Sequence, residues 1–240
     1  MPSFPSDPST TSDAPALPAY GSSGRYLGEE GREYYETFQA PLGEMGARFN
    51  HFIWAPHISP EHDVLDFGCG GGQLLRTLDA RRKVGVEINP HARAVATDAG
   101  LETYETLADV PGRFDRVISS HALEHVPFPQ QALVELRDKL RGPESRLVLL
   151  LPLDDWRNRL NRAYRTDDIN QHLHAWTPMT LGNLLASSGY RVETVDVLAH
   201  AWSPKFAPLW TVSPALLHGA SRLFARLKRA RQLVAVAAPA

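Results

Sequence analysis

The fold class the sequence predicts is α/β, with a doubly wound, mostly parallel sheet, and three observations predict it. Short apolar runs alternate with segments of helical periodicity from Asp63 to Val197. One of these runs, RLVLLL over 146–151, is apolar throughout except at its first residue, as a strand covered on both faces requires. The stretch VLDFGCGGG over 64–72 sets a glycine-rich turn directly after a strand, where such sheets bring bare backbone close to a ligand.

Each element has a local reason. Strands are expected over 63–67, 83–88 (KVGVEI), 101–105, 115–119 (DRVIS), 146–151 and 190–197. Between them, helices are expected over 71–78, 90–98, 129–140 (PQQALVELRDKL) and 177–187. Pro90 and Pro178 suit the first helical turn, where the missing N–H has no intrahelical partner anyway, and Thr177 is an N-cap side chain. Ahead of the sheet, Leu42, Met45, Phe49, Phe52 and Ile53 fall at helical spacing, so one or two helices form a cap over 25–56 before a core at 57–198. Residues 1–24 are rich in Ser, Pro, Thr, Asp and Gly, which cannot repay the entropy of ordering, and a flexible tail is expected there.

Composition narrows the class. Apolar residues make up 43% and charged residues 22%, ordinary globular values. Cys69 is the only cysteine, so no intramolecular disulfide forms, and a reducing, cytoplasmic setting is expected. No apolar run is long enough for a membrane span, and the N-terminus lacks the basic and apolar parts of a secretory signal. The net charge of −2 is unevenly spread: all 27 acidic residues lie at or before Asp196, while six of the 25 basic ones follow it. A nucleic-acid partner would want a basic surface; the first 196 residues are net acidic, so none is expected.

The glycine turn separates ligand classes. A phosphate loop needs Lys-Ser/Thr after its glycines, and none follows. The dinucleotide pattern G-x-G-x-x-G needs a third glycine where Gln73 stands. What remains is Asp66-x-Gly68-x-Gly70-x-Gly72, with Glu87 ending the second strand nineteen residues after Gly68. A carboxylate there can accept from both hydroxyls of a ribose, so the ligand reads as a nucleoside without a pyrophosphate.

VLDFGCGGG, VGVEINP, FDRVISSHALEHV and RLVLLLP, in this order, resemble the class I S-adenosylmethionine-dependent methyltransferases, most closely those related to ubiquinone biosynthesis, over about residues 45–198. The resemblance implies a seven-stranded Rossmann-like sheet with helices on both faces and S-adenosylmethionine as cofactor. It implies that Asp66, Gly68, Cys69, Gly70 and Gly72 line the methionine part, that Glu87 binds the ribose, and that Ile88 flanks the adenine. Thr106 and Leu107 would sit at the adenine edge, and Ser119, Ser120 and His121 near the sulfonium. The acceptor is then a small molecule, with O-methylation of a sugar, quinone-like or secondary-metabolite hydroxyl expected; a non-catalytic cofactor-binding partner subunit or an N-methyltransferase are the alternatives.

A hydroxyl acceptor must lose its proton, and histidine is the usual base near neutral pH. His121 and His172 are the candidates, with His172 preferred because it comes from the acceptor's side; the match also implies that Trp176 covers the site. His121, Glu124, His125 and His172 also resemble the E-x-x-E-H-plus-His metal set of small-RNA 2′-O-methyltransferases and related quinone enzymes. His121 replaces the first Glu of that set and Mg²⁺ prefers oxygen ligands, so no metal is expected. A third reading makes Glu124 and His125 scaffold residues. Residues 199–212 are expected to form a variable substrate cap, and 213–240 a basic amphipathic helix. That helix is either packed on the domain or, through 213–236, in weak contact with a membrane surface.

Overall fold

The computed structural model describes residues 24–153, 163–166, 168 and 171–240. Seven strands form one sheet: β1 (Asp63–Phe67), β2 (Arg82–Val86), β3 (Glu102–Tyr104), β4 (Arg116–Ser120), β5 (Arg146–Pro152), β6 (Tyr190–Leu198) and β7 (Gln232–Pro239). Their order across the sheet is β3-β2-β1-β4-β5-β7-β6, and only β7 runs antiparallel to its neighbours. The six strands foreseen between 63 and 197 are all present, with ends moved by no more than two residues. The order reverses between β1 and β4, and the crevice at their carboxyl ends is where such sheets bind ligands.

Period-two alternation explains the two cores. Leu65 and Phe67 of β1 and Leu147, Leu149 and Leu151 of β5 face one side, where Leu133 and Leu136 of α6 (Pro129–Asp138) and Leu181 and Leu185 of α7 (Pro178–Ser187) cover them. Val64, Val148 and Leu150 face the other side, against Ile53 and Trp54 of α3 (His51–Trp54), Leu75 of α4 (Gln73–Thr77) and Ala96 of α5 (Pro90–Asp98). Asn89 caps α5 by accepting from the His91 and Ala92 N–H groups, and its amide donates to the Gly31 carbonyl. That bond fastens α1 (Gly28–Tyr34) to the end of β2. A π-helical stretch over Tyr35–Gln39 continues α1 into α2 (Ala40–Phe49); such stretches concentrate at functional sites.

The far end of the chain differs from expectation. Over 199–212, where a substrate cap is expected, a short turn leads into α8 (Ala207–Val212). The helix expected over 213–240 is α9 (Pro214–Lys228) alone, and 232–239 form the seventh strand. Leucines at helical spacing suggested continuation to Val236, but Arg229 turns the chain in a left-handed conformation (φ 56°), and Val234 to Ala237 then enter the gap between β5 and β6. Leu233, Ala235 and Ala237 are buried there, so any surface contact from 213–236 is confined to α9. That helix buries Leu217, Ser221 and Ala225 and exposes Leu216, Leu223 and Leu227. No helix among the described residues is long and apolar enough to cross a membrane. Of the tail expected over 1–24, only Gly24 lies within the described residues.

Two predictions follow from this packing. Truncation after Arg231 removes the strand that joins β5 to β6 and is expected to abolish the cooperative thermal transition, whereas Leu223→Ser on the exposed face of α9 leaves it within a few degrees. His200 is buried against Phe52 and His218, and burial, reinforced by the charges of His218 and Arg222, lowers its pKa from 6.5 to about 4. The unfolded chain therefore binds this proton more readily, and the contribution of neutral His200 is lost as pH falls from about 6.5 to about 4. Denaturant titrations across that window are expected to show the loss in the wild type and a shallower slope in His200→Phe.

Candidate functional site

At Gly68 the chain leaves β1 with φ 79°, and a Cβ there would meet the Ala122 methyl at 2.5 Å, so only glycine brings the loops after β1 and β4 this close. Gly70 follows with φ 54°, and its N–H donates to Glu87 Oε2 at 2.8 Å. Glu87 Oε1 accepts from the Asn89 N–H at 2.8 Å. One side chain thus ties the ends of β1 and β2. Burial pushes the Glu87 pKa up, against the opposing pull of the Asn89 and Gly70 N–H groups.

Two cavities open at these strand ends, one of about 1470 Å³ and one of about 130 Å³. Gly68, Ser120, His121 and His125 line both. Asp66, Cys69, Gly70 and His172 line the larger, and Glu87 and Ile88 the smaller. The structure therefore brings most of the expected residues to one edge. Asp66 is buried with Oδ1 unpaired, and burial, with the nearby Glu87, pushes its pKa up to about 8.

Four of the expected cofactor residues line neither cavity. Gly72 turns the chain into α4 against Leu101 and Ala96 and lines neither cavity. Ser119 is buried, and its hydroxyl donates to the Phe67 carbonyl within the sheet. Thr106 donates to Asp109, and Leu107 is buried in the core because the chain turns inward after β3. Glu105, paired with Arg93, stands at the smaller cavity instead. Trp176 is also a core residue and lines neither cavity.

The turn after β4 gathers the histidines. His121 adopts φ 53°, its Nδ1 lies 3.4 Å from Glu124 Oε1, and its Nε2 lies 3.3 Å from Gln232 Oε1. Glu124 is fully buried, and its carbonyl accepts the N–H groups of Leu173 and His174, which draws the 172–174 segment over the turn. His172 thereby stacks edge-on to His125 at 5.0 Å, and His125 Nδ1 meets the Tyr26 hydroxyl at 3.0 Å. Glu124, His125 and His172 each offer a ligand atom, all within 4.8 Å of one another. Neither Glu124 carboxylate oxygen has a hydrogen bond within normal distance. Burial alone would raise this carboxyl, but His121 and His125 more than offset it and hold Glu124 below the usual range. Burial lowers the His125 pKa, although Glu124 opposes it. Two imidazoles and one carboxylate could hold a transition ion better than Mg²⁺.

Sequence reading missed three contributors. Tyr26, Tyr34 and Gln39 reach the cavities from the N-terminal helices. Trp202 lines the larger cavity from the segment after β6. Arg226, Lys228, Arg229 and Arg231 line it from the end of α9 and the start of β7. Aromatic and basic residues in helical segments carry no spacing signal that marks them for a cavity; only chain reversal brings them there.

Comparisons with known proteins agree with this geometry. A family described as a methyltransferase domain matches residues 33–195. The mitochondrial ubiquinone biosynthesis O-methyltransferase of Saccharomyces cerevisiae is 33% identical over 105 residues, covering 38% of this chain and 33% of that one. The ubiquinone biosynthesis O-methyltransferase of Idiomarina loihiensis is 31% identical over 132 residues, covering 48% and 51%. The chain spans about a third to a half of the length of the curated relatives it matches. A methyltransferase structure from Bacillus halodurans shares the fold with TM-score 0.57 at 16% identity, covering 81% of this chain and 98% of that one. With the β3-β2-β1-β4-β5-β7-β6 sheet, the glycine turn after β1 and Glu87 at the end of β2, the chain belongs to the class I S-adenosylmethionine-dependent methyltransferases.

Proposed function

We propose that the protein transfers the methyl group of S-adenosylmethionine to a hydroxyl of a small molecule, with His172 as the base. The S–CH₃ bond breaks as the O–CH₃ bond forms, the acceptor proton goes to imidazole, and the sulfonium leaves as neutral S-adenosylhomocysteine. The observation that carries the reading is the shared edge: the acidic ends of β1 and β2 and the histidines after β4 line cavities with common walls. Holding acceptor oxygen, methyl and sulfur in line supplies much of the rate. Asp66 is assigned to the ammonium of the cofactor's methionine part, because its buried Oδ1 has no hydrogen-bond partner among the described residues and an ammonium would supply one. Glu87 is assigned to the ribose, through the lone pairs left beside its two backbone bonds, and Ile88 to the adenine. The curated relatives support an oxygen acceptor, and the single, buried Cys69 supports a reducing, cytoplasmic setting.

One observation favours a second reading of the base. Glu124 is fully buried, its carboxylate approaches only the His121 Nδ1 at 3.4 Å among the described hydrogen-bonding groups, and its neighbours are histidines rather than arginines or backbone N–H groups. Glu124, His125 and His172 could hold a divalent transition ion, which would polarise an acceptor hydroxyl and ease loss of its proton.

Two measurements test these assignments. In the free protein Asp66 carries its proton up to about pH 8; an ammonium brought beside it lowers that value, so cofactor binding expels a proton. S-adenosylhomocysteine affinity is thus expected to rise between about pH 6 and 7.5. Calorimetry in buffers of different ionisation enthalpy should register proton release, which Asp66→Asn loses together with at least about tenfold in affinity; unchanged affinity and release would remove Asp66 from the site. His172→Ala is expected to lower kcat by about 10²–10⁴ with cofactor affinity unchanged. Wild-type turnover surviving a strong chelator supports His172 as base, whereas loss restored by Zn²⁺ or Mn²⁺ supports the metal.

A further inference from the structure

The wall of the larger cavity opposite in sign to its acidic floor is built from one short segment. Arg226, Lys228, Arg229 and Arg231 line it, and among the described residues none of the four has a salt-bridge partner. Attraction to the carbonyl end of α9 accounts for Arg226 and Lys228, which lie in its last turn. It does not account for Arg231, beyond the helix, nor for Arg229, which holds a left-handed conformation (φ 56°) that glycine would adopt without strain.

The segment is also fixed to the histidine turn. The Leu153 N–H donates to the Arg231 carbonyl at 3.1 Å. Next along the chain, Gln232 donates to the His200 carbonyl at 2.9 Å and sets its Oε1 3.3 Å from His121 Nε2. Arg231 is therefore one residue, about 3.8 Å of backbone, from a side chain that touches His121. A group bound at the cationic wall and a hydroxyl presented to the histidines fit within one small molecule.

We propose that the acceptor carries an anionic group, carboxylate or phosphoryl, which Arg226, Lys228, Arg229 and Arg231 bind while its hydroxyl faces His121 and His172. This rests on the larger cavity being the acceptor pocket. Four basic side chains in one wall, none in a salt bridge among the described residues, give the site a charge preference, and guanidinium groups match the paired oxygens of either anion.

The probe pair is dihydroxybenzoate and its uncharged methyl ester, titrated calorimetrically into full-length protein saturated with S-adenosylhomocysteine. The acid is expected to bind at least about tenfold more tightly than the ester at low salt, with the difference shrinking as salt is added. In the triple variant Arg226→Gln, Arg229→Gln, Arg231→Gln the preference is expected to fall below about twofold, while S-adenosylhomocysteine affinity stays unchanged and reports an intact fold. Equal binding of acid and ester to the wild type overturns the proposal. So does a preference that survives the triple variant. Loss of binding to anionic phospholipid vesicles in that variant, with the acid preference intact, would assign the cations to a lipid headgroup instead. Because binding is read without turnover, an anion preference with no methyl transfer to any hydroxyl would refute the proposed reaction and leave this inference standing.

Discussion

The buried Glu87 carboxylate is the junction on which the rest of the site depends. It accepts one N–H from the glycine turn after β1 and one from the start of the helix after β2. Asn89, the residue that donates the second, also caps α5 and holds α1 through the Gly31 carbonyl. Glu87 thus holds the turn after β1 directly and α1 through Asn89, which makes the cavity edge rigid. Such preorganisation cuts the entropy lost on binding.

The electrostatics of this edge are unusual for a protein interior. Asp66, Glu87 and Glu124 are all buried within the same crevice, and burial acts to raise the pKa of each. They differ in how that tendency is met. Glu87 is satisfied by backbone, Glu124 faces imidazoles, and Asp66 Oδ1 has no hydrogen-bond partner among the described residues. Buried carboxylates without full hydrogen bonding are costly, and they persist where a cationic ligand completes them. The basic segment at the end of α9 lines the same cavity as Asp66 and Glu124.

Much of this was legible in the sequence. Alternation of short apolar runs with helical segments located six strands to within two residues, because each strand of a doubly covered sheet must be apolar on both faces and each turn must release the chain through Gly, Pro or a cap. Asp66, Gly68, Gly70 and Glu87 could be placed because their spacing follows from the length of one βαβ unit. The histidine loop was harder: His172 is 47 residues from His125, and the backbone bonds of Leu173 and His174 to Glu124 close that gap. Leu107 and Ser119 turn into the core rather than toward a cavity, since one residue of displacement along a strand or turn moves a side chain from one face to the other.

The sequence by itself determined the parallel α/β sheet, the glycine turn and the acid at the end of the second strand, because these follow from local periodicity and short-range spacing. Only the tertiary structure decided the fate of the C-terminal segment. QLVAVAAP has no local feature that forbids helix, and it becomes β7 because β5 and β6 leave an unpaired gap whose backbone groups must be satisfied. The same long-range pairing carries Arg229 and Arg231 to the cavity wall and Gln232 to His121.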